Sequence, residues 1–276
     1  MSQSALPSTA SASPPRIRVR NLTVGYGSYV LMRDVSFDVE ADDVFLIMGG
    51  SGCGKSTLLR VLMGLKEPQS GQVFYGDTDF WACDGEERRR LMQRTGVLFQ
   101  GGALWSSMTL AENVGLPLQQ YTNLSPEEVR EQASLKLALA GLAGFEDYYP
   151  SEISGGMRKR AGLARALALD PQILFLDEPS AGLDPVSSRL LDDLILELRD
   201  SLGTTFVIVS HELASIFTVA SNSIFLDAQT RRVTAAGNPS LLVKDPHTEE
   251  QARRFLTRGA PDASAAPADG TARMDA

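Results

Sequence analysis

A glycine-rich segment that ends in a lysine and two hydroxyl residues is the part of the chain whose residue types and spacing most directly indicate chemistry. It matches the pattern G-x-x-x-x-G-K-[ST] and lies between an apolar run, VFLIM, and a helical stretch, TLLRVLMGL. Glycines let backbone N–H groups converge on a polyphosphate, and the positive end of the following helix points to the same place. We expect Lys55 to reach the β and γ phosphates of a nucleotide and Ser56 to bind Mg²⁺. The residues of this phosphate loop are Gly49, Gly50, Ser51, Gly52, Cys53, Gly54, Lys55, Ser56 and Thr57.

Two adjacent carboxylates follow a second apolar run. Residues 173–176 read ILFL and are followed by Asp177 and Glu178. We expect Asp177 to hold Mg²⁺ through its water shell and Glu178 to polarise the attacking water as general base. On their own, two acids after a strand are better explained as a solvated strand end. Paired with the phosphate loop, they indicate the second half of a hydrolytic site.

A histidine stands in the corresponding position after a third apolar run. The segment TTFVIV is followed by Ser210, His211 and Glu212. An imidazole at this place can hydrogen-bond a γ-phosphate or the water that attacks it, so His211 is a candidate catalytic residue. The other histidine, His247, lies in the polar segment KDPHTEE and is expected at the surface.

The elements that position these residues follow from the same apolar runs. VFLIMG, QILFLDEP and TTFVIVSHE lack the alternation of half-buried strands, which predicts central strands of a parallel sheet covered on both faces. Active sites in such sheets form where the strands end. Pro185 begins a predicted helix that Gly203 ends, and Ser125 caps another that reaches about Leu139. The helix-rich sequence from about 103 to 165 predicts a helical subdomain inserted in an α/β core.

Composition bounds the remaining possibilities. The chain has 276 residues, of which 43% are hydrophobic, and a formal net charge of −8. An acidic chain argues against a nucleic-acid partner, and two cysteines suit a reducing compartment. No apolar run approaches the roughly 18 to 20 residues that a membrane helix needs, and the N-terminus has no signal-peptide pattern.

The same composition suggests a division of the chain. Residues 1–15 and those from about 259 are rich in Ser, Ala and Pro, which predicts disordered tails. We expect one structured domain over 16–245 and a C-terminal extension over 246–276. Residues 244–258 mix charged residues with Phe255 and Leu256, which is compatible with a short helix that reaches a neighbouring subunit or with a frayed end.

Further motifs stand in one characteristic order along the chain. Gln100 follows the segment VLF, ISGGM occupies 153–157 ahead of the helical AGLARALALD, and AGLD follows the paired acids at 181–184. Over about residues 16–245 the chain therefore resembles the ATP-binding subunits of ABC transporters. The resemblance implies an α/β fold of the P-loop NTPase class: an ABC ATPase with a RecA-like core, an antiparallel β subdomain and an inserted α-helical subdomain.

The resemblance also assigns roles. Gln100 would contact Mg²⁺ and the attacking water, and Tyr26 would stack on adenine, although a strand aromatic packed in a turn explains Tyr26 as well. The signature residues would complete the nucleotide site of an opposite subunit, so that hydrolysis of ATP needs a head-to-tail homodimer with two sandwiched nucleotides. The residues implied on that trans side are Ser154, Gly155, Gly156 and Asp184.

Met157 of the signature and the stretches FQGGALWSSMTLAENVGLPL and DPHTEEQARRFLTRG are similar to the ATPases of Mla-type (MCE-associated) phospholipid transport systems, the MlaF group. Trp105 replaces an expected phenylalanine, and Gly50 replaces a common proline. This resemblance implies a peripheral location on the cytoplasmic face of the inner membrane. It also implies an integral membrane permease, an MCE lipid-binding protein reached through the permease, and a small STAS-domain protein as partners.

Two local expectations concern exposure. Trp105, Met108 and Leu110 are candidates for a groove that receives the permease, with core packing as the alternative. Cys53, beside Lys55, is expected to have a lowered thiol pKa. The charged run at 86–94 is expected to be a solvated helix face.

Other functions fit the sequence less well. An ATPase for another transported solute is the nearest alternative, because the cassette does not touch the cargo. A soluble ABC protein in DNA repair or translation would carry tandem cassettes, coiled-coil insertions or zinc modules, and this sequence has one cassette. A simple P-loop kinase has no use for the ISGGM signature.

Overall fold

The computed structural model describes residues 16–258, so the predicted disordered tails lie outside the described residues. The strands are β1 (Ile17–Tyr26), β2 (Tyr29–Val39), β3 (Val44–Gly49), β4 (Ser70–Tyr75), β5 (Thr78–Asp79), β6 (Thr95–Leu98), β7 (Ile173–Asp177), β8 (Thr205–Val209), β9 (Asn222–Asp227) and β10 (Arg232–Ala236). The α-helices are α1 (Lys55–Leu62), α2 (Gly85–Gln93), α3 (Leu110–Tyr121), α4 (Pro126–Leu139), α5 (Gly155–Ala166), α6 (Pro185–Leu202), α7 (Leu213–Val219), α8 (Pro239–Leu242) and α9 (Glu250–Thr257).

The central sheet has the strand order β10-β9-β3-β8-β7-β6. Neighbouring strands from β9 to β6 run parallel, and only β10 pairs antiparallel. Every residue of β3 and β8 is buried, as expected for strands covered on both faces. The three apolar runs of the sequence are thus adjacent strands, and their carboxyl ends meet at one edge of the sheet.

A smaller antiparallel sheet, with the order β2-β1-β4-β5, covers one side of this core. Side chains of β1 alternate between buried and partly exposed positions, which leaves one face for packing. That face joins Phe45 and Ile47 of the central sheet and Leu58 and Leu62 of α1 in one hydrophobic cluster. The phosphate loop is therefore held between the two sheets.

Three helices, α3, α4 and α5, pack on one another at the other side of the molecule. Capping boxes begin α3 at Thr109 and α4 at Ser125, the cap expected from the sequence. For Leu110, the structure shows the core-packing alternative: its side chain is fully buried as the first core-facing residue of α3. Trp105 in the preceding loop is 61% exposed, and Met108 is partly buried.

The end of the described chain folds onto the central sheet. In α9, Ala252 and Leu256 are buried in the main core, and the Phe255 ring lies 5.3 Å from the ring of Phe225 in β9. Of the two alternatives for 244–258, a helix and a frayed end, the structure shows a helix, and in the single chain it packs against its own sheet.

Among residues 16–258, no helix is long and apolar enough to cross a membrane. The parallel sheet, antiparallel sheet and helical unit together are the α/β architecture that the sequence predicts. The predicted domain boundaries at 245 and at about 103 and 165 stay predictions.

Candidate functional site

A cavity of about 880 Å³ opens at the carboxyl edge of the central sheet. It is lined by all residues of the phosphate loop except Cys53, and by Tyr26, Gln100, Glu178 and His211. These side chains come from five separate segments of the sequence. The fold thus brings together most of the residues expected to bind and cleave a nucleotide.

The phosphate loop has a backbone that glycine favours. Gly49 has φ 150°, and a Cβ there would lie 2.4 Å from the carbonyl oxygen of Leu226. Gly54 has φ 101° and is the N-cap of α1, so no side chain caps the first N–H groups of that helix. These free N–H groups at a positive helix end suit an anion. The fit to a polyphosphate therefore rests on the loop's own geometry.

Lys55 is held at the centre of this loop. Its Nζ donates hydrogen bonds to the carbonyl oxygens of Gly49, at 2.9 Å, and Gly50, at 3.0 Å, and the residue is buried. A buried ammonium with a third donor left can contact a phosphate oxygen without moving its stem. Lys55 is the local positive charge that an acidic chain needs to bind an anion.

Two side chains with oxygen donors lie side by side, one at the start of α1 and one at the end of β7. Ser56 Oγ donates to Asp177 Oδ1 over 2.9 Å, which places both residues expected at Mg²⁺ in contact. Among the described residues, no cluster of three His, Cys, Asp or Glu side chains is arranged to hold a metal ion alone. Hard oxygen donors in this number suit Mg²⁺, which keeps waters and takes phosphate oxygens as further ligands. The pair therefore fits the ion.

Glu178 and His211 form a second pair at the cavity. Nδ1 of His211 lies 2.8 Å from both carboxylate oxygens of Glu178. Glu178 has φ 49°, which is a left-handed backbone, and its N–H donates to the carbonyl oxygen of Val209 over 2.9 Å. A left-handed non-glycine residue is strained, and the neighbouring strand β8 maintains it. The strain directs the carboxylate into the cavity beside His211.

Two exposed tyrosines line the open side of the cavity. Tyr26 ends β1, Tyr29 begins β2, and the two residues pair across the hairpin turn. Lys66 Nζ lies 4.1 Å from the Tyr26 ring centroid, and Arg231 Cζ lies 4.9 Å from the Tyr29 centroid. Exposed rings with cations on them offer flat faces for a base. Tyr29 was not singled out from the sequence, although its position across a two-residue turn from Tyr26 was visible there.

The C-terminal helix also lines this cavity, which sequence reasoning did not anticipate. Arg254, Phe255 and Arg258 lie at its edge. Arg254 lies in the last turn of α9, and Arg258 follows as the C-cap of that helix, with a left-handed φ of 51°. The spacing of these two arginines in the sequence was the signal available, but nothing in the sequence indicated that α9 folds back towards the phosphate loop.

The signature residues and Asp184 do not line the cavity. Ser154 caps α5 by accepting the N–H of Met157 over 3.2 Å, and Gly156 lies against Ser187 of α6. Asp184 caps α6 by accepting the N–H groups of Val186 and Ser187. Its pKa is lowered first by the hydrogen bond from the Ser187 hydroxyl and then by these backbone N–H groups. The starts of α5 and α6 thus lie together, away from the phosphate loop of the same chain.

The pKa of the Cys53 thiol differs from the one predicted from the sequence. The thiol is buried, and burial raises its pKa, an effect that outweighs the opposing charge of Lys55. The expectation of a lowered pKa was wrong because it counted the neighbouring ammonium but not the loss of water around the sulfur. Cys53 packs inside the loop, and Gly49 lies against its Sγ.

The chain is similar in sequence to known proteins. The family model for ABC transporters matches residues 32–181. The chain is 44% identical over 206 residues to a probable ribonucleotide transport ATP-binding protein, mkl, of Mycobacterium leprae, which covers 75% of this chain and 59% of that protein. The chain thus spans less than two thirds of the length of this mycobacterial relative.

A second relative is matched over most of its length. The chain is 35% identical to the intermembrane phospholipid transport system ATP-binding protein MlaF of Haemophilus influenzae, over 83% of this chain and 86% of that protein.

Solved structures show the same fold. A dimeric ATP-binding cassette in a post-hydrolysis state with ADP and phosphate aligns with a TM-score of 0.71 and 28% identity, over 80% of this chain and 98% of that one. The cbiO1 subunit of a Clostridium perfringens ABC transporter complex aligns with a TM-score of 0.76 and 25% identity. The alignment covers 90% of this chain and 96% of that one. The α/β P-loop fold expected from the motifs is confirmed, and the chain belongs to the ABC transporter family, with the architecture of its ATP-binding subunits.

Proposed function

We propose that this protein hydrolyses ATP to ADP and phosphate and transmits the energy to a membrane permease. The observation that carries this proposal is that the phosphate loop and the Glu178–His211 pair line one cavity, and that Ser56, which also lines it, donates a hydrogen bond to Asp177. Lys55 and the amides of α1 hold the phosphates. Mg²⁺, bound by Ser56 and Asp177, would neutralise charge on the phosphates during transfer.

The hydrolytic step is assigned to the chain's own side chains. Glu178 accepts a proton from the attacking water as its oxygen bonds to the γ-phosphorus, and the bond from that phosphorus to the bridging oxygen breaks. His211 positions Glu178 and reaches the γ-phosphate. Gln100, which follows β6, would contact the attacking water and help to hold Mg²⁺. Tyr26 stacks on the adenine ring.

The active form is proposed to be a head-to-tail homodimer with two ATP molecules between the subunits. Support comes from the position of Ser154, Gly155, Gly156 and Asp184, which lie outside the cavity of their own chain and are free to meet that of a second copy. The structural relatives include dimeric ATP-binding cassettes. The capped N-terminus of α5 then contributes its positive end to the partner's nucleotide.

We propose phospholipid as the cargo class of the transporter, moved between inner and outer membranes as in Mla-type systems. The support is the match to MlaF over most of both chains. The protein would then lie at the cytoplasmic face of the inner membrane through its permease, with MCE and STAS-domain proteins as further partners. The name of the mkl relative refers to ribonucleotide transport instead. Ribonucleotides are therefore the second candidate cargo class.

A deletion strain separates these cargo classes. Loss of the gene is expected to change the phospholipid content of the outer leaflet of the outer membrane, measured by leaflet-selective labelling and lipid analysis. Complementation with the wild-type gene should restore it, and a gene encoding Glu178→Gln should not. An unchanged lipid distribution with reduced uptake of labelled ribonucleotides would reject the phospholipid proposal and favour the second candidate.

A further inference from the structure

A buried lysine lies behind the catalytic side of the cavity. Lys159 belongs to α5, four residues or about one helical turn beyond Gly155, and is only 7% exposed. It does not line the cavity. Burying a lysine costs free energy unless its ammonium is hydrogen-bonded or paired with an acid. The hydrogen-bond partners of Lys159 therefore indicate its structural role.

Both partners of the Lys159 ammonium are backbone carbonyls of residues expected to act on ATP. Its Nζ donates to the carbonyl oxygen of Gln100 in a short hydrogen bond, and to that of Glu178 over 3.3 Å. Gln100 follows β6, and Glu178 follows β7. A single ammonium on α5 thus ties the ends of two adjacent strands to the helix that begins with the signature residues.

The contact with Glu178 falls on a strained residue. Glu178 has its left-handed φ of 49°, and its carbonyl oxygen also accepts the N–H of Ala181 over 3.2 Å. Lys159 therefore stabilises the carbonyl of the same residue whose N–H donates to the carbonyl oxygen of Val209. The backbone that aims the carboxylate at His211 is held from one side by β8 and from the other by α5.

Charge does not by itself explain this placement. Burial lowers the pKa of Lys159, and the carboxylates of Glu178, Asp177 and Glu212 oppose that effect. Lys136 is a second buried lysine in the same helical unit. Its charge is compensated in the usual way, by an ion pair with the carboxylate of Asp170. Lys159 instead donates to two carbonyls, which fixes backbone positions.

We propose that Lys159 is a positioning residue that couples the two ATP sites of the dimer. The proposal rests on the proposed function, in which the start of α5 contacts the partner's nucleotide. When that nucleotide binds, a shift of α5 acts through Lys159 on the carbonyls of Gln100 and Glu178 in its own site. Each site then reaches its hydrolytic geometry only when the other is occupied, which is a coupling free energy between sites.

The test uses the full-length chain in three variants and the wild type. Lys159→Met keeps the length of the side chain without its donors, Lys159→Arg keeps a charged donor, and Lys136→Met removes the matched buried lysine outside the site. Steady-state ATP hydrolysis gives kcat, KM and the Hill coefficient for ATP. Hydrogen exchange without nucleotide reports the amides of Glu178, Ser180 and Ala181 within 178–181, since Pro179 has no N–H.

Wild type is expected to show a Hill coefficient above 1. Lys159→Met should lower kcat by about ten- to hundredfold, the size of effect that follows from misplacing catalytic groups, while KM changes by less than about threefold. Its Hill coefficient should fall to about 1, and amide exchange at 178–181 should rise. Lys159→Arg should restore most of kcat, and Lys136→Met should keep the wild-type Hill coefficient.

The proposal is overturned if Lys159→Met keeps the wild-type kcat and Hill coefficient, if Lys136→Met changes both to the same extent, or if wild type shows no cooperativity. Glu178→Gln measured in parallel separates this outcome from failure of the proposed function. If wild-type hydrolysis is absent or does not depend on Glu178, the proposed function fails. If hydrolysis depends on Glu178 but Lys159→Met keeps the wild-type kcat and Hill coefficient, only the coupling role of Lys159 is rejected.

Discussion

Nδ1 of His211 lies 2.8 Å from each carboxylate oxygen of Glu178. Since an ionised carboxylate only accepts, Nδ1–H is the donor, and Nε2 is left to face the cavity. The side chain of Glu178 is largely buried and that of His211 is largely exposed. The imidazole is therefore the side chain of this pair that can adjust its position to a γ-phosphate. The contact fixes the carboxylate that we propose as the general base.

The adenine side of the cavity gives a first prediction. Tyr26→Ala is expected to weaken ATP binding by about 1 to 3 kcal/mol, because a base loses the ring on which it stacks. Equilibrium binding of a fluorescent ATP analogue to Tyr26→Ala and Tyr29→Ala measures this. A loss confined to Tyr29→Ala would transfer the stacking role to Tyr29, and no loss in either variant would contradict an aromatic adenine site.

Arg254 of α9 and Arg258, the C-cap of that helix, give a second prediction. Arg254→Glu combined with Arg258→Glu places two negative charges at the edge of the cavity and is expected to weaken ATP binding by about tenfold or more at low salt. Arg90→Glu is the matched control, because Arg90 forms an i,i+4 pair with Glu86 as Arg254 does with Glu250. Equal affinity of the double variant and the control would show that α9 does not act on the nucleotide.

A buried carboxylate between α6 and α7 gives a pH prediction. Burial raises the pKa of Asp192 to about 6, although Ser215 Oγ donates to it over 2.9 Å. Between about pH 4 and 6 the folded state binds a proton at Asp192 that the unfolded state has lost, so this group's contribution to stability falls as pH rises through that window.

Asp192→Asn removes this titration. Relative to wild type, it is expected to gain roughly 1 to 3 kcal/mol of unfolding free energy between pH 4.5 and pH 7.5. Urea unfolding at both pH values measures it. Asp193→Asn, at the neighbouring exposed carboxylate paired with Arg189, should show little pH dependence. A difference between wild type and Asp192→Asn that stays constant with pH would contradict the assignment.

The exposed loop before α3 gives a prediction about the permease. The buried side chain of Asn113 bonds both the N–H and the carbonyl of Trp105, which fixes the loop and presents the ring to solvent. Trp105→Glu is expected to abolish copurification with the permease while the variant stays folded by circular dichroism. Leu135→Glu, at an exposed apolar residue of α4, is the control. Copurification of Trp105→Glu at wild-type yield would remove Trp105 from the interface.

Much of the site was predictable because its chemistry is local in sequence. The phosphate loop follows a fully buried strand, and the acids and His211 end parallel strands, so the sheet itself brings them together. Lys159 was not predictable in this way. It lies in the run MRKR, whose charges indicate a solvated face, and its burial depends on contacts with residues 59 and 19 positions away.

The other errors have the same origin. The sequence shows that Cys53 neighbours Lys55, but not that Met32 and Leu31 of β2 close over the loop beside Gly54. It shows apolar residues at 105–110, but not which of them the neighbouring helices cover. Burial set by long-range packing decided both cases.

Hydrolysis by Glu178→Gln tests the central claim most directly. The variant keeps the shape of the side chain but cannot accept the proton of water. We expect kcat for ATP to fall by about 10² to 10⁴ fold, the usual contribution of a general base, while ATP binding is retained and the chain elutes as a dimer with Mg-ATP. Hydrolysis within about threefold of wild type would contradict the assignment of Glu178 as the base.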